Sequence, residues 1–115
     1  MATTNTNNEL FDYVSRIREE LETVYNGTAE NDDGEPATMW DYFADPLDYE
    51  YTIAANGEYL GVRVYVTLGG PNVWIDTRRG EIAGAWGADR ADIWLPSEIA
   101  AEIDEVFLEL YSCTR

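Results

Sequence analysis

The sequence predicts an α+β fold in which an antiparallel meander sheet of four to five strands is packed on one face by an N-terminal and a C-terminal helix. Three observations predict it: apolar residues alternate strictly along residues 59–68, turn motifs follow at short intervals, and both ends show apolar residues at helical spacing. At 115 residues the chain is long enough for one core and too short for two ordinary domains. We therefore expect a single domain over residues 1–115.

The N-terminal helix is predicted over residues 8–25, after a polar segment at residues 1–8 that is expected to be flexible. The turn signal Asn26-Gly27 ends it. Its apolar face consists of Leu10, Phe11, Val14, Ile17, Leu21, Val24 and Tyr25. Its outer face is mixed in sign and carries Asp12, Arg16, Arg18, Glu19, Glu20 and Glu22. This charge pattern is typical of a solvated helix face.

The connection at residues 26–48 is acidic, and no basic residue occurs between Arg18 and Arg63. Its acids are Glu30, Asp32, Asp33, Glu35, Asp41, Asp45 and Asp48. Thr38 is predicted to cap a short helix that ends before Pro46. That helix would point Asp41 and Asp45 outward four residues apart, where like charges repel by roughly a few tenths of a kcal/mol.

The sheet is predicted to begin with Tyr49, Tyr51 and Ile53, which alternate with polar residues and turn at Asn56-Gly57 into the strand at residues 59–68. Turn motifs at residues 69–72, 77–80 and 87–90 then separate the apolar runs 73–76, 81–86 and 91–95. The helices are expected to cover the face that carries Leu60, Val62 and Val64. The opposite face is expected to show Arg63, tyrosines and tryptophans, with Trp74 and Trp94 outward.

The C-terminal helix is predicted over residues 98–111, with Ser97 as its N-cap. Ile99, Ile103, Val106, Phe107 and Leu110 form its apolar face. On the other side Glu98, Glu102, Glu105 and Glu109 follow one another at helical spacing. We name these four glutamates the C-terminal acidic stripe.

Several kinds of chemistry are excluded by composition. The chain has no histidine and no lysine, and Cys113 is its single cysteine. Ser-His and Cys-His nucleophiles, zinc fingers, P-loops and Schiff-base lysines are therefore excluded. An EF-hand alignment on Gly34 fails because Ala29 and Trp40 fall where a first aspartate and a final glutamate belong. We expect no enzyme activity, no cofactor and no metal; a looser calcium or magnesium site at residues 30–35 and a carboxylate enzyme are the last-ranked alternatives.

The formal net charge is the unusual property of this sequence. Twenty-three acids against seven arginines give −16, whereas solubility of a small domain needs a magnitude of only about 2–8. Direct binding to nucleic acid or to an anionic membrane is disfavoured, and a basic protein surface is the complementary partner. The sequence shows no signal-peptide pattern and no apolar run of membrane-spanning length. We expect a cytoplasmic monomer.

The spacing of the acids suggests what such a partner would bind. The C-terminal acidic stripe spans about 16 Å, close to one charge per 5 Å, which is of the order of the phosphate spacing along a DNA strand. An acidic stripe of this kind can occupy the arginine and lysine clusters that grip DNA. The predicted partner-binding residues are Glu98, Glu102, Glu105, Glu109, Asp32, Asp33, Glu35, Asp41, Asp45 and Asp48.

Two other readings of the charge remain open. A charged stripe is commonly the wet face of a helix, and a lysine-free acidic chain is also typical of adaptation to high salt. In that case the chain would be a non-enzymatic protein-interaction module that binds through the aromatic face of its sheet. Clustering of the acids in residues 26–58 and in the C-terminal helix favours mimicry.

As a small, strongly acidic chain without catalytic residues, this protein resembles the DNA-mimicking inhibitors of phages and other mobile elements, namely the anti-CRISPR and antirestriction proteins. Its segments EYLGVRVYVTLGGPNVWIDTRRGEIAGAWG and WLPSEIAAEIDEVFLEL are also similar to small uncharacterised proteins of bacterial mobile elements. The resemblance implies action in a bacterial host cell, by occupation of the DNA site of a defence complex, for example the PAM-reading surface of a Cascade complex. It assigns no site residue.

Overall fold

The computed structural model describes residues 6–46 and 48–113. The elements are α1 (Thr6–Tyr25), α2 (Met39–Tyr42), β1 (Asp48–Ile53), β2 (Tyr59–Thr67), β3 (Asn72–Asp76), β4 (Glu81–Trp86), β5 (Asp89–Trp94) and α3 (Ser97–Cys113). The five strands pair in chain order, each antiparallel to the next. The predicted α+β meander with a helix at each end is therefore confirmed.

The core lies between one face of the sheet and the helices. The strand registers align Val64, Ile75, Ile82 and Ile93 in one row across four strands. The largest fully buried side chains include Leu10 and Leu21 of α1 and Ile103 and Phe107 of α3, together with Ile75 and Ile82 from the sheet. Burying a side chain of this size stabilises a fold by about 1.5–3 kcal/mol. Helix α1 packs over β4 and β5, and α3 packs over β2.

Helix α1 comes close to the sheet because β4 has a glycine at the contact. A Cβ atom at Gly84 would lie 2.8 Å from Cδ1 of Leu10 and 3.2 Å from Cγ2 of Val73. A methyl group there would force the end of the buried Leu10 side chain to shift. Glycine in the interior of a strand is otherwise unfavourable, so its presence here is explained by this close approach.

The helix ends differ from the prediction at both ends of α3, which runs on to Cys113 rather than ending at residue 111, and at the start of α1. Helix α1 begins at Thr6, so residues 6–8 of the segment expected to be flexible are helical, and residues 1–5 of that segment lie outside the described residues. Helix α3 begins at Ser97 because the carbonyl of Pro96 accepts the first hydrogen bonds, from the backbone N–H groups of Ile99 and Ala100. Ser97 is thus the first helical residue, and its hydroxyl donates to Oε1 of Glu98.

The turn between β4 and β5 is also tighter than predicted. Trp86 pairs with Asp89, which leaves Gly87 and Ala88 as a two-residue loop, and Gly87 has a φ of 62°. Two-residue hairpin loops need positive φ angles that glycine adopts easily. Strand β5 therefore starts at Asp89 rather than at residue 91, and Arg90 belongs to the sheet.

A set of tyrosines joins α3 to the sheet beside β1. The Tyr59 hydroxyl donates to Oδ1 of Asp104 at 2.6 Å, and the Tyr111 hydroxyl donates to the carbonyl of Gly57 at 2.8 Å. Burial raises the pKa of Tyr59, and the bond to Asp104 raises it further. Tyr51 packs edge-on against both rings. These contacts fix the C-terminal half of α3 against the turn between β1 and β2.

Among the residues that the structure describes, no helix has both the length and the apolar character needed to cross a bilayer.

A substitution at Gly61 tests how the turn between β3 and β4 packs onto β2. A Cβ atom there would lie 2.8 Å from Cβ of Arg78 and 3.2 Å from its Cα, so the turn itself would have to move. Thr77 holds that turn in place, because its backbone N–H donates to the carbonyl of Val62 at 3.0 Å. We expect Gly61→Ala to lower the free energy of unfolding by about 1–3 kcal/mol, measured by urea denaturation. An unchanged midpoint would show that the turn is free to shift.

Candidate functional site

An acidic groove opens on the helix side of the molecule, between the C-terminal half of α1, the hairpin at residues 30–36 and α2. Its volume is about 490 Å³. Its acidic lining residues are Glu20, Glu30, Asp32, Asp33 and Asp41. Its apolar lining residues are Val24, Ala29, Ala37, Tyr42 and Ala44. None of the described residues that line it is an arginine, so the acidic groove is a concave surface with an apolar lining and an uncompensated negative charge.

The hairpin of the groove is organised by Asn31. Its Oδ1 atom accepts hydrogen bonds from the backbone N–H of Asp33 at 2.9 Å and of Glu35 at 3.1 Å. A bridge between Glu30 and Pro36 closes the loop behind it. Asparagine is favoured in such turns because its side chain replaces a backbone acceptor. Asp32 and Asp33 are left exposed at the tip of the hairpin.

The wall formed by α2 is fixed by a capping box, which confirms the predicted role of Thr38. The Thr38 hydroxyl accepts from the backbone N–H of Asp41 at 3.2 Å, and Oδ2 of Asp41 accepts from the backbone N–H of Thr38 at 2.9 Å. Asn31 also donates to Asp41, at 3.4 Å. The Thr38 backbone bond, followed by the bond from Asn31, lowers the pKa of Asp41. Asp41 therefore holds the fold as well as carrying charge.

The expected repulsion between Asp41 and Asp45 within one helix is wrong. Helix α2 ends at Tyr42, so Asp45 lies beyond it and lines a second, smaller pocket with Phe43, Pro46 and Val64. The Phe43 N–H donates back to Met39, and a single helical turn is all that precedes Pro46. Repulsion at a spacing of four residues requires both acids to be helical.

Glu20 is a groove residue that sequence reasoning missed. The Tyr42 hydroxyl donates to its Oε1 atom at 2.8 Å, which joins α1 to α2. Burial raises the pKa of Tyr42, and the bond to Glu20 adds to that effect. In the sequence Glu20 is one of several charges on the mixed outer face of α1. No local pattern indicates that α2 packs beside it, so only the tertiary contact distinguishes it.

The C-terminal acidic stripe lies on the solvent side of α3. Glu98, Glu105 and Glu109 are exposed, Glu102 is half-buried, and Ile103 and Phe107 on the opposite side are fully buried. The backbone N–H of Glu98 itself, followed by the Ser97 hydroxyl, lowers the pKa of Glu98. The stripe therefore presents four carboxylates along one helix, as predicted.

The structure does not gather all ten predicted partner-binding residues in one place. Asp32, Asp33 and Asp41 line the acidic groove, while Glu35 is exposed on its hairpin without lining it. Asp48 pairs with Tyr65 in the register of β1 and β2, on the face of the sheet opposite the helices. Asp48 was grouped with the acids of the connection only because it is close to them in the sequence. Side-chain alternation at the start of β1 turns it to the other side.

We name that opposite face the open face; besides Asp48 and Glu50 of β1 it carries Arg63, Tyr65, Trp74, Asp76, Glu81, Arg90, Asp92 and Trp94. Its arginines are paired with acids. Arg63 contacts Asp76 at 3.1 Å, Arg79 contacts Glu81 at 3.2 Å, and Arg90 lies 3.8 Å from both Glu81 and Asp92. Each of these three arginines thus lies within 4 Å of an acid, whereas Arg78 packs against Gly61. Three acids and three arginines therefore pair in this cluster, whereas Asp48 and Glu50 at the β1 end of the same face form no ion pair with an arginine among the described residues.

The two tryptophans expected outward on this face differ in exposure. Trp94 is 66% exposed, but Trp74 is only 7% exposed. The guanidinium groups of Arg63 and Arg90 lie over the Trp74 ring, at 5.1 Å and 5.5 Å from its centroid. Arginine stacks readily on indole, so the two guanidinium groups shield the Trp74 ring from solvent. Trp94 is therefore the aromatic side chain that this face offers to a partner.

A metal site at residues 30–35 gains no support from geometry. Within residues 6–46 and 48–113, no group of three or more cysteine, aspartate or glutamate side chains is arranged to hold a metal ion. Hard cations such as calcium need several convergent oxygen ligands. The exposed hairpin acids instead point to solvent.

Comparisons with protein-family models, with curated proteins and with solved structures find no match for this chain.

The pH dependence of stability tests the capping role of Asp41. Its pKa is lowered in the folded state, so its contribution is present above the pKa of the unfolded chain and is lost as the pH falls through the folded value. We expect Asp41→Ala to lower the melting temperature at neutral pH and to have a smaller effect at a pH well below about 3.9, where the wild-type carboxyl is also protonated. Scanning calorimetry at both pH values measures this.

The matched control is Asp32→Ala, which removes an exposed carboxylate from the same groove. It is expected to change the melting temperature little at either pH. Equal effects of the two substitutions would contradict a special role for Asp41 in the cap.

Proposed function

We propose that this protein is an acidic DNA mimic that binds the nucleic-acid-binding surface of a bacterial defence complex and inhibits it, in the manner of an anti-CRISPR protein. The observation that carries the proposal is the sorting of charge between the two sides of the molecule. Arginines pair with Asp76, Glu81 and Asp92 on the open face, whereas the acidic groove has no arginine among its described lining residues and the C-terminal acidic stripe consists of glutamates only.

A surface of this kind suits a protein that normally grips DNA. Such proteins hold phosphates with arginine and lysine clusters, and most of their affinity is electrostatic. Glutamates at the spacing of the C-terminal acidic stripe present negative charge at intervals of the same order as a phosphate strand. The long-range field of the acidic surface would also accelerate encounter with a basic cleft.

The two acidic elements have different parts in the proposal. The stripe runs along the exposed side of α3 and supplies the repeated charge. The acidic groove is concave and has apolar residues such as Val24 and Tyr42 in its lining, so a long basic side chain can lay its alkyl stem there and its charge against the rim. Inhibition by occupation requires no cofactor and no catalytic group.

Charge reversal on the stripe tests the proposal. The variant Glu105→Lys/Glu109→Lys changes two exposed carboxylates that lie opposite the buried face of α3. We expect it to weaken competition with DNA for a purified Cascade complex by roughly tenfold or more, since like charges would then meet across the interface. Competition is measured by fluorescence anisotropy of labelled target DNA at low and at high salt, and inhibition by the wild type is expected to weaken as salt rises.

A matched control changes the net charge equally at another place. Glu9→Lys/Asp12→Lys reverses two exposed carboxylates on the first half of α1, outside both acidic elements. It is expected to leave competition close to the wild-type level. Equal loss in both variants would show that only total charge matters, and no loss in the stripe variant would remove the stripe from the interface. Circular dichroism checks that both variants fold.

A second candidate function is a protein-interaction module that uses the open face, and the exposure of Trp94 favours it. A tryptophan that is 66% exposed and pairs in register with Glu81, an acid held by two arginines, is suited to protein contact. Binding through this face should tolerate high salt and both reversals above, and it should be lost in Trp94→Ala. Trp74→Ala does not separate the two functions, because its ring supports Arg63 and Arg90 within the fold.

A further inference from the structure

Strand β5 forms one edge of the sheet, and its outer side has a definite set of backbone groups. The N–H of Leu95 points toward β4, where it donates to the carbonyl of Gly80 at 2.9 Å. Backbone groups of successive residues in an antiparallel strand point to alternate sides. The N–H and C=O groups of Arg90, Asp92 and Trp94 therefore point away from β4, and within the described residues no further strand pairs with them.

The side chains along this edge are complementary to those of the same edge in a second copy of the chain. Arg90 and Asp92 are two residues apart, lie on the same side of the sheet, and have half-exposed side chains, 51% and 56%. If a second β5 lies antiparallel with a two-fold axis at Ala91, Arg90 of each copy stands directly opposite Asp92 of the other. Opposite charges in directly opposed positions stabilise a strand pair, and like charges destabilise it.

The backbone agrees with the same register. Arg90 and Asp92 both point their N–H and C=O groups outward, so they would form hydrogen-bonded pairs, with about four backbone bonds across the axis. Ala91 would stand directly opposite Ala91 of the second copy as a non-hydrogen-bonded pair. Its small, buried side chain allows the close approach that such a pair requires. We propose that two copies of this chain associate by antiparallel pairing of their β5 edges into one continuous sheet.

The other edge of the sheet is not suited to self-pairing. Strand β1 carries Asp48 and Glu50, both exposed and on the same face, and no arginine. A two-fold axis at Tyr49 would set these two acids directly opposite each other. Acidic edges of this kind oppose edge-to-edge association. The contrast singles out β5, and a two-fold contact through identical patches is the commonest form of homodimer.

Net charge sets the conditions under which the pairing is observed. Two copies of formal charge −16 repel at long range. The screening length falls from about 10 Å at 0.1 M salt to about 3 Å at 1 M salt, whereas the contacts across β5 act at closer distances. Self-association is therefore expected to strengthen with salt, opposite to the salt dependence of binding through the acidic surfaces. This dimer departs from the expected monomer and is independent of the proposed function.

Sedimentation equilibrium on charge-swapped variants tests the register. The wild-type mass is expected to rise with concentration from 13.0 kDa toward twice that value at about 1 M salt. Arg90→Asp and Asp92→Arg each place like charges opposite and should remain at the monomer mass. The double swap Arg90→Asp/Asp92→Arg restores opposite charges across the axis and should restore the dimer.

Several results would overturn the proposal. The wild type could stay at 13.0 kDa at every protein and salt concentration. The single variants could be as dimeric as the wild type, or the double swap could fail to restore the dimer. Arg90 also covers Trp74, so if Arg90→Asp unfolds, Asp92→Arg alone decides whether charge at this edge matters.

Amide hydrogen exchange supplies a second readout. Protection of the Arg90 and Asp92 N–H groups should rise with protein concentration. Protection that is independent of concentration would place the contact elsewhere and overturn the pairing. Protection that appears only when a bacterial lysate is added would show that a foreign strand occupies the edge, which also overturns it.

Discussion

A shortage of positive charge constrains this molecule more than any other property. Seven arginines face 23 acids, and there is no lysine or histidine. The position of each arginine therefore decides which part of the surface is neutral. Arg63, Arg79 and Arg90 gather on the open face, where they pair with the acids between them. The surplus acids remain on the other side, where the helices lie, and on the edges of the sheet.

The fold holds several of those acids with neutral donors instead of cations. Tyr42 donates to Glu20, Tyr59 donates to Asp104, and the Thr38 backbone donates to Asp41. A hydroxyl or amide donor fixes the orientation of a carboxylate and leaves its charge in place, whereas an arginine would cancel it. This is how two helices and a hairpin pack closely together while their shared surface stays acidic.

The architecture could be predicted because each element has a local signal, whereas the site depends on contacts between distant residues. Alternation along residues 59–68 indicated which face is buried, and Thr38 indicated the start of α2. The groove could not be predicted, because Glu20 joins it only when α2 packs on α1. Trp74 was expected outward from alternation alone, and its direction is right. Its ring is covered by Arg63 of the neighbouring strand β2 and by Arg90 of β5, two strands away, and Arg90 entered the sheet through a tighter turn than expected.

The sorting of charge bears on why the chain is acidic. Adaptation to high salt raises the acidity of the whole exterior, because every part of the surface meets the same solvent. Such a pressure gives no reason to concentrate arginines on one face of the sheet and to leave a concave groove on the other side without them. A partner with a basic cleft does give a reason, since only the surface that enters the cleft must stay negative. Neutral donors beneath that surface, such as Tyr42 under Glu20, serve the same end, because they secure the acids without weakening the field that a basic partner would meet.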